Sequence, residues 1–406
     1  MSEAVAYPAL YLKRGEDARL RAGHVWVFSN EIDVKRSPLA GFAPGAPCAI
    51  VDAHERPLGV GYVNPNSLIA ARLVNRGIAH ALDRSLLVHK LNVALALRER
   101  LHAEPYYRLL YGESDGVPGL VVDRYAEVVV AQTATAGMER LKDDIAAALV
   151  KVLKPAAIVW KNDAAVRALE QLPSYADLGY GELAAPVTVR EGGLEFAIDP
   201  IGGQKTGWFY DQRANRDLLV ALGAGAPLAG ARVLDVFSYL GAWGLRAAAA
   251  GAREAVCVDA SATAVEAIAA NARRNGLAER VRAVRADAFE YLKALREARE
   301  RFDVVILDPP AFVKRKKDFA EGRLAYRRLN EMAMQVLARD GLLVTCSCSY
   351  HLPRVALLEA VQQGARHLDR HVQVLAQLQQ APDHPVHPAI PETDYLKGLL
   401  CRVTAA

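Results

Sequence analysis

Apolar residues along this chain fall into two kinds of run. Up to about residue 76 they come in short stretches, Val25–Phe28, Pro47–Val51, Leu58–Tyr62 and Ala70–Val74, parted by turn formers such as Pro44-Gly45 and Asn64-Pro65-Asn66. Strands this short with Gly, Pro and Asn between them predict a small β-barrel. A helical stretch from about Asp83 to His102 follows. From Arg108 to about Val189, strand-like runs (Gly119–Asp123, Glu127–Gln132, Ala156–Trp160) alternate with a periodic apolar segment from Gly137 to Leu153, the pattern of an α+β module. Beyond about Ile201 five short apolar strands begin at Val233, Ala255, Val281, Phe302 and Gly341, separated by helical runs such as Ala262–Asn275 and Arg323–Ala338. That order predicts a parallel, doubly wound α/β sheet. The expected domains are a barrel over residues 1–77, a central α+β domain over 78–190 and a catalytic α/β domain over 191–406.

Composition narrows the picture only a little. The chain has 406 residues, with 50 Lys and Arg against 46 Asp and Glu, a net charge of +4. Such mild basicity permits a nucleic-acid partner without indicating one. No stretch approaches the roughly 20 apolar residues of a membrane span, and the opening Met1-Ser-Glu-Ala4 has neither the basic region nor the apolar core of a signal peptide. A cytoplasmic enzyme with no membrane partner is the expectation. The five cysteines, scattered and odd in number, fit free thiols better than a disulfide framework.

The first strand of the α/β domain runs into Asp235-Val-Phe237-Ser238-Tyr-Leu-Gly241-Ala-Trp-Gly244 and then a helix. Glycines there let the backbone approach a ligand, and Asp259 at the end of the next strand can take both hydroxyls of a ribose. The first glycine of a dinucleotide turn is missing, and an acidic residue opens the turn. That combination suits the cationic S-adenosylmethionine better than a pyrophosphate. A third strand ends in Asp287-Ala288-Phe289, a carboxylate for an adenine amino group and a ring to cover the base. The candidate cofactor contacts are Asp235, Phe237, Ser238 and Gly241, then Asp259, Ala260 and Ser261, then Asp287 and Ala288, with Asp308 at the fourth strand.

Two strand ends carry the candidate chemistry. One reads Val304–Leu307 and then Asp308-Pro309-Pro310-Ala-Phe312; the other reads Leu342–Thr345 and then Cys346-Ser-Cys348-Ser. Cys348 could be an inert core thiol, or a metal ligand with Cys346 and His351, although no fourth ligand stands at suitable spacing and no metal is expected. As a nucleophile it would add to C6 of a cytosine and activate C5, which is otherwise too poor a nucleophile to take a methyl group. Asp308 would then hold the exocyclic amine and N3 of a flipped base. The same turn would serve methylation of a purine nitrogen, with Cys348 idle. A non-catalytic RNA-binding assembly factor is the third alternative. The densest basic run, Lys314-Arg315-Lys316-Lys317, and Arg327 beyond it follow Phe312 directly, placed to hold phosphates beside the reaction centre.

Together with Gly203-Gln-Lys205-Thr206-Gly207-Trp-Phe-Tyr-Asp211-Gln212-Arg213, these motifs resemble the bacterial 23S ribosomal RNA 5-methylcytosine methyltransferases that carry an amino-terminal PUA domain. The resemblance covers nearly the whole chain: Gly23–Ile32 is similar to the PUA segment and Gly112–Gly119 to the central domain. It implies a PUA domain, a central α+β domain and a Rossmann-like class I catalytic domain, with a seven-stranded, mostly parallel sheet ending in an antiparallel hairpin. It implies S-adenosylmethionine as cofactor and 23S rRNA, free or in an assembling large subunit, as substrate, and it is compatible with a homodimer. By motif, Cys348 is the nucleophile, Asp308 and Pro310 form the base-recognition turn with Phe312, and Lys205, Thr206, Gly207, Asp211 and Arg213 line the entrance of the cofactor pocket. Two positions depart from the family: Ala311 stands where Lys is frequent after Asp-Pro-Pro, and Cys346 where an aromatic residue is common.

Overall fold

The computed structural model describes residues 7–78, 80–184, 186–223 and 228–405; the opening Met1 to Ala4 stretch lies outside them. Two compact units form. One comprises Met1–Val189, Ile198–Tyr210 and Pro382–Thr393; the other Arg190–Ala197, Asp211–Ala381 and Asp394–Ala406.

In the first unit, Ala9–Tyr11, Ala46–Val51, Pro57–Val63, Ala71–Asn75 and Trp26–Val27 are neighbours in that order in a five-stranded sheet. Alternation along these short strands sends Leu10, Val27, Cys48, Ile50 and Leu73 into one core, which Ile390 joins from the far end of the sequence. A second five-stranded sheet runs in sequence order from Tyr106–Tyr111 to Tyr175–Gly181. The helix Arg84–Leu101, capped by Asp83 through its bond from Leu86 N at 3.0 Å, lays Leu87, Leu91 and Ala94 against it. Val60, Tyr62 and Val74 of the first sheet belong to that same apolar cluster.

The second unit is a seven-stranded sheet, whose strands we label β1 (Arg232–Val236), β2 (Glu254–Asp259), β3 (Val281–Arg285), β4 (Phe302–Leu307), β5 (Leu337–Ser347), β6 (Arg370–Gln379) and β7 (Lys397–Ala405). Their spatial order is β3-β2-β1-β4-β5-β7-β6. The first five are parallel, and β7 runs antiparallel to both β5 and β6. This is the expected Rossmann-like sheet with its closing hairpin. Strands β1 and β4 are near-continuous apolar runs because helices cover both faces of such a sheet. The helices that matter below are α1 (Arg213–Gly223), α2 (Ala242–Ala249), α3 (Ala262–Arg274), α4 (Ala288–Glu297), α5 (Phe319–Val336) and α6 (Arg354–His367). Parallel register aligns Asp235 with Cys257 and Ile306, and Leu307 with Thr345, so the turns after β1, β2, β3, β4 and β5 open on one edge of the sheet. Ligands of open α/β sheets bind at that edge.

Candidate active site

The turn after β1 is held in a demanding conformation. Phe237, Tyr239 and Gly241 have φ of 66°, 51° and 83°, so two side-chain-bearing residues sit in the left-handed region at a cost of about 1–3 kcal/mol each. The surroundings fix them there. Ser238 N donates to Val258 O (3.0 Å), Tyr239 N to Asp259 Oδ2 (2.9 Å) and Gly244 N to Asp235 Oδ2 (3.0 Å). Gly244 has to be glycine, because a Cβ there would stand 2.3 Å from Cys257 Sγ, and the missing methyl lets α2 lie close on β2.

Four carboxylates gather on this edge. Asp235 is fully buried and its Oδ2 accepts from Ser238 Oγ as well as Gly244 N, while its Oδ1 has no hydrogen-bond partner. Burial pushes its carboxyl up to about 7, and the charges of Asp308 and Asp259 push in the same direction. Asp308, half-buried at the end of β4, accepts from Gln212 Nε2 (2.9 Å) and Trp243 Nε1 (3.3 Å). Its carboxyl is raised to about 6 by desolvation and then by Asp211, whose Oδ2 accepts from the Tyr395 hydroxyl. Asp259 takes Tyr239 N on one oxygen and Ser261 N (2.9 Å) on the other while staying half-exposed.

Carboxylates that raise one another mark a site of negative potential. It would repel a pyrophosphate and attract a sulfonium, and an orphaned buried oxygen on Asp235 awaits a donor such as an α-ammonium. The residues present therefore fit S-adenosylmethionine. Asp287 caps α4, its Oδ1 accepting from Phe289 N and Glu290 N at 2.9 and 3.1 Å, with Ala288 buried behind it. Ala260 is exposed and Ser261 caps α3.

Across the edge, Cys348 is the one cysteine of five that is not buried. Its Sγ lies 4.0 Å from Pro309 O, which brings the thiol to the Asp308-Pro309-Pro310 turn. Pro310 is exposed. Both neighbours of Cys348 are tied down: the Tyr326 hydroxyl of α5 bonds Ser347 Oγ (2.9 Å) and Ser349 Oγ (3.0 Å), and Ser349 Oγ accepts from Val313 N (3.1 Å). The Cys348 loop and the Asp308–Val313 turn are thus joined by a buried hydroxyl network. Phe312 packs at 4.8 Å from Tyr326 and 6.4 Å from Phe289. Cys346 is fully buried and its thiol is pushed far up by burial.

The remaining expected site residues are more dispersed. Lys314, Arg315, Lys316 and Lys317 are exposed, although Arg315 is paired with Asp318 at 3.1 Å, and Arg327 is half-buried on α5. Arg213 lies 3.6 Å from the buried Glu191, which Arg216 also clasps through two bonds. Lys205, Thr206 and Gly207 belong to the first unit. There the Thr206 hydroxyl is buried on Asp123 Oδ2 and the Lys205 ammonium sits 4.4 Å above the Phe209 ring. Sequence reading missed Trp243, Tyr326, Tyr395 and Lys397. Only Lys397 left a signal, a single cation at the head of an apolar strand.

This sheet order and acidic cofactor turn define an S-adenosylmethionine-dependent methyltransferase of Rossmann-like fold. Two solved structures share the fold: a candidate methyltransferase in complex with SAH (TM-score 0.82, 21% identity, 97% of this chain and 100% of that one) and a candidate SAM-dependent methyltransferase from Streptococcus mutans (TM-score 0.80, 21% identity, same coverage). Family models described as PUA-like domain and as conserved hypothetical protein 95 match residues 10–76 and 218–364. Proteins named ribosomal RNA large subunit methyltransferase I from Photobacterium profundum and Shewanella denitrificans are 36% identical over 402 residues and 37% over 399, covering 97% of this chain and 99% and 98% of theirs. The chain belongs to that ribosomal RNA large subunit methyltransferase I family.

Proposed function

We propose that this protein methylates C5 of a cytosine in 23S ribosomal RNA, with Cys348 as a covalent nucleophile and Asp308 as the residue that reads the base. The observation that carries this reading is the placement of the only accessible thiol, Cys348, against the Asp308-Pro309-Pro310 turn. Methylation of an exocyclic or ring nitrogen needs no thiol there; C5 chemistry does.

When bound, S-adenosylmethionine supplies an electrophilic methyl group on its sulfonium. Asp235, Phe237, Ser238, Gly241, Asp259, Ala260, Ser261, Asp287, Ala288 and Asp308, with Asp211 and Arg213, all of the second unit, are the residues proposed to hold it. The Cys348 sulfur adds to C6 of a base swung out of its stack, and the ring charge this creates makes C5 nucleophilic. Asp308, raised to about 6 and steered by Gln212 and Trp243, hydrogen-bonds the amine and N3 edge as that charge develops. Once C5 carries the methyl group, loss of its proton and departure of the sulfur restore the ring. Lys314, Lys316, Lys317 and Arg327 hold the RNA backbone, Arg315 less so because Asp318 already engages it. Pro310 and Phe312 border the base, and the work is done in the cytoplasm.

Bisulfite sequencing of ribosomal RNA with wild-type protein and with Cys348→Ala tests the reading. The expected result is one protected cytosine in 23S rRNA that disappears with the variant. Full protection with Cys348→Ala, or a methyl group found on a purine, overturns it.

A further inference from the structure

A thiol near its ordinary range of about 8.5 is a weak nucleophile at neutral pH, so covalent chemistry needs something beside Cys348 that favours the thiolate. What the fold does bring to Cys348 is a buried cation. Lys397 opens β7 and stands directly opposite Ser347 in the β5–β7 register. Its side chain runs under the loop that follows Cys348, where the ammonium donates to Ser349 O at 2.8 Å and Leu352 O at 3.0 Å. Only 6% of the residue is exposed.

We propose that Lys397 is the positioning residue that activates Cys348: it pins the nucleophile loop through two carbonyls and presents a buried positive charge that stabilises the thiolate. The inference rests on the reading of Cys348 as nucleophile. Two carbonyl acceptors fix where the charge sits, and burial leaves it less screened than a surface cation, so a charge at Cys348 is felt.

The electrostatics agree with the geometry. Burial pulls the Lys397 ammonium down to about 8; Asp394 and Cys348 oppose that shift, and Arg354 of α6 adds to it. An interaction that favours the charged lysine beside a charged Cys348 favours the thiolate beside a charged lysine by the same free energy. Near neutral pH the ammonium is mostly protonated, so it serves as a counter-charge and not as a base. The thiol proton leaves to solvent. Tyr326, on the other side of the loop, positions it through Ser347 and Ser349 hydroxyls and brings no charge.

The thiol itself can be read without methylation. The other four cysteines are buried with their thiols held high, Cys48 and Cys401 at about 12, so iodoacetamide alkylation near neutral pH reports Cys348, with Cys348→Ala as the blank. Wild-type protein is expected to alkylate with a midpoint below about 8.5. Lys397→Met should raise that midpoint by about one pH unit and slow alkylation near neutrality about tenfold, and Lys397→Arg should restore most of the rate. The same profile for wild type and a folded Lys397→Met overturns the proposal. If Lys397→Met does not fold, the reciprocal measurement decides: the Lys397 titration followed by NMR should fall to lower pH in Cys348→Ala, and an unmoved titration overturns the proposal. A Cys348→Ala enzyme that still methylates would sink the nucleophile reading while leaving the alkylation profile as it stands, so the two failures are distinct.

Discussion

At the scale of single residues, Asp235 has a cost that can be measured. Its carboxyl holds a proton to about pH 7 in the folded protein against 3.8 for an ordinary Asp, so the folded state binds more protons across that window. The stability this contributes is complete below the lower value and is lost as pH rises through the upper one. Asp235→Asn keeps an acceptor for Gly244 N and Ser238 but never ionises. It should melt within a degree or so of wild type near about pH 4 and a few degrees above it near about pH 8 by calorimetry, while binding S-adenosylmethionine more weakly. Equal melting shifts at both pH values would refute the argument. Cys348 and Asp235 were both legible in the sequence because a thiol or carboxylate at the end of an apolar strand is conspicuous. Trp243 and Tyr326 were not: an aromatic in a helix reads as packing, and only the fold shows that the indole N–H and the phenol meet Asp308 and the serines.

Helices and turns bring those residues together, and two substitutions test how. Tyr326→Phe on α5 removes the hydroxyl shared by Ser347 and Ser349. It should cost about 1–2 kcal/mol of stability and lower kcat while leaving KM for RNA nearly unchanged, because the base-binding side chains stay in place. Unaltered kcat in steady-state methylation assays would show that the network is only structural. Gly244→Ala on α2 drives a methyl group to 2.3 Å from Cys257 Sγ, inside any van der Waals contact. The helix must lift from β2, and calorimetric titration should show S-adenosylmethionine affinity falling at least tenfold with the first unit's fold retained. At this scale the periodicity of the chain indicated β1 to β4 and α3 closely, whereas α5 begins earlier than expected, at Phe319, and gives way to β5 at Leu337, inside the run expected to be helical to Ala338. The β6–β7 pair followed from resemblance alone, since the exposed, polar-studded β6 carries no apolar run to mark it.

For the whole molecule, the proposed grip of the basic run on RNA is open to test through its dependence on salt. Lys314, Lys316 and Lys317 are exposed, and replacing all three by Ala should flatten the slope of log affinity against log salt by about 2, at roughly 0.7 per phosphate contact on single-stranded RNA. Filter binding at several KCl concentrations measures it, and an unchanged slope would move the RNA elsewhere. Ile390 shows a different kind of long-range dependence. It is fully buried in a core otherwise built from residues near the start of the chain, and the Asp383 carboxylate of the same returning segment accepts from Arg108 N at 3.0 Å. A ribosome making this protein must therefore translate on through Ile390 before the first sheet can close its interior. Until then the nascent chain carries an unfilled socket where Ile390 belongs, so this sheet becomes protease-resistant long after its own strands have been made.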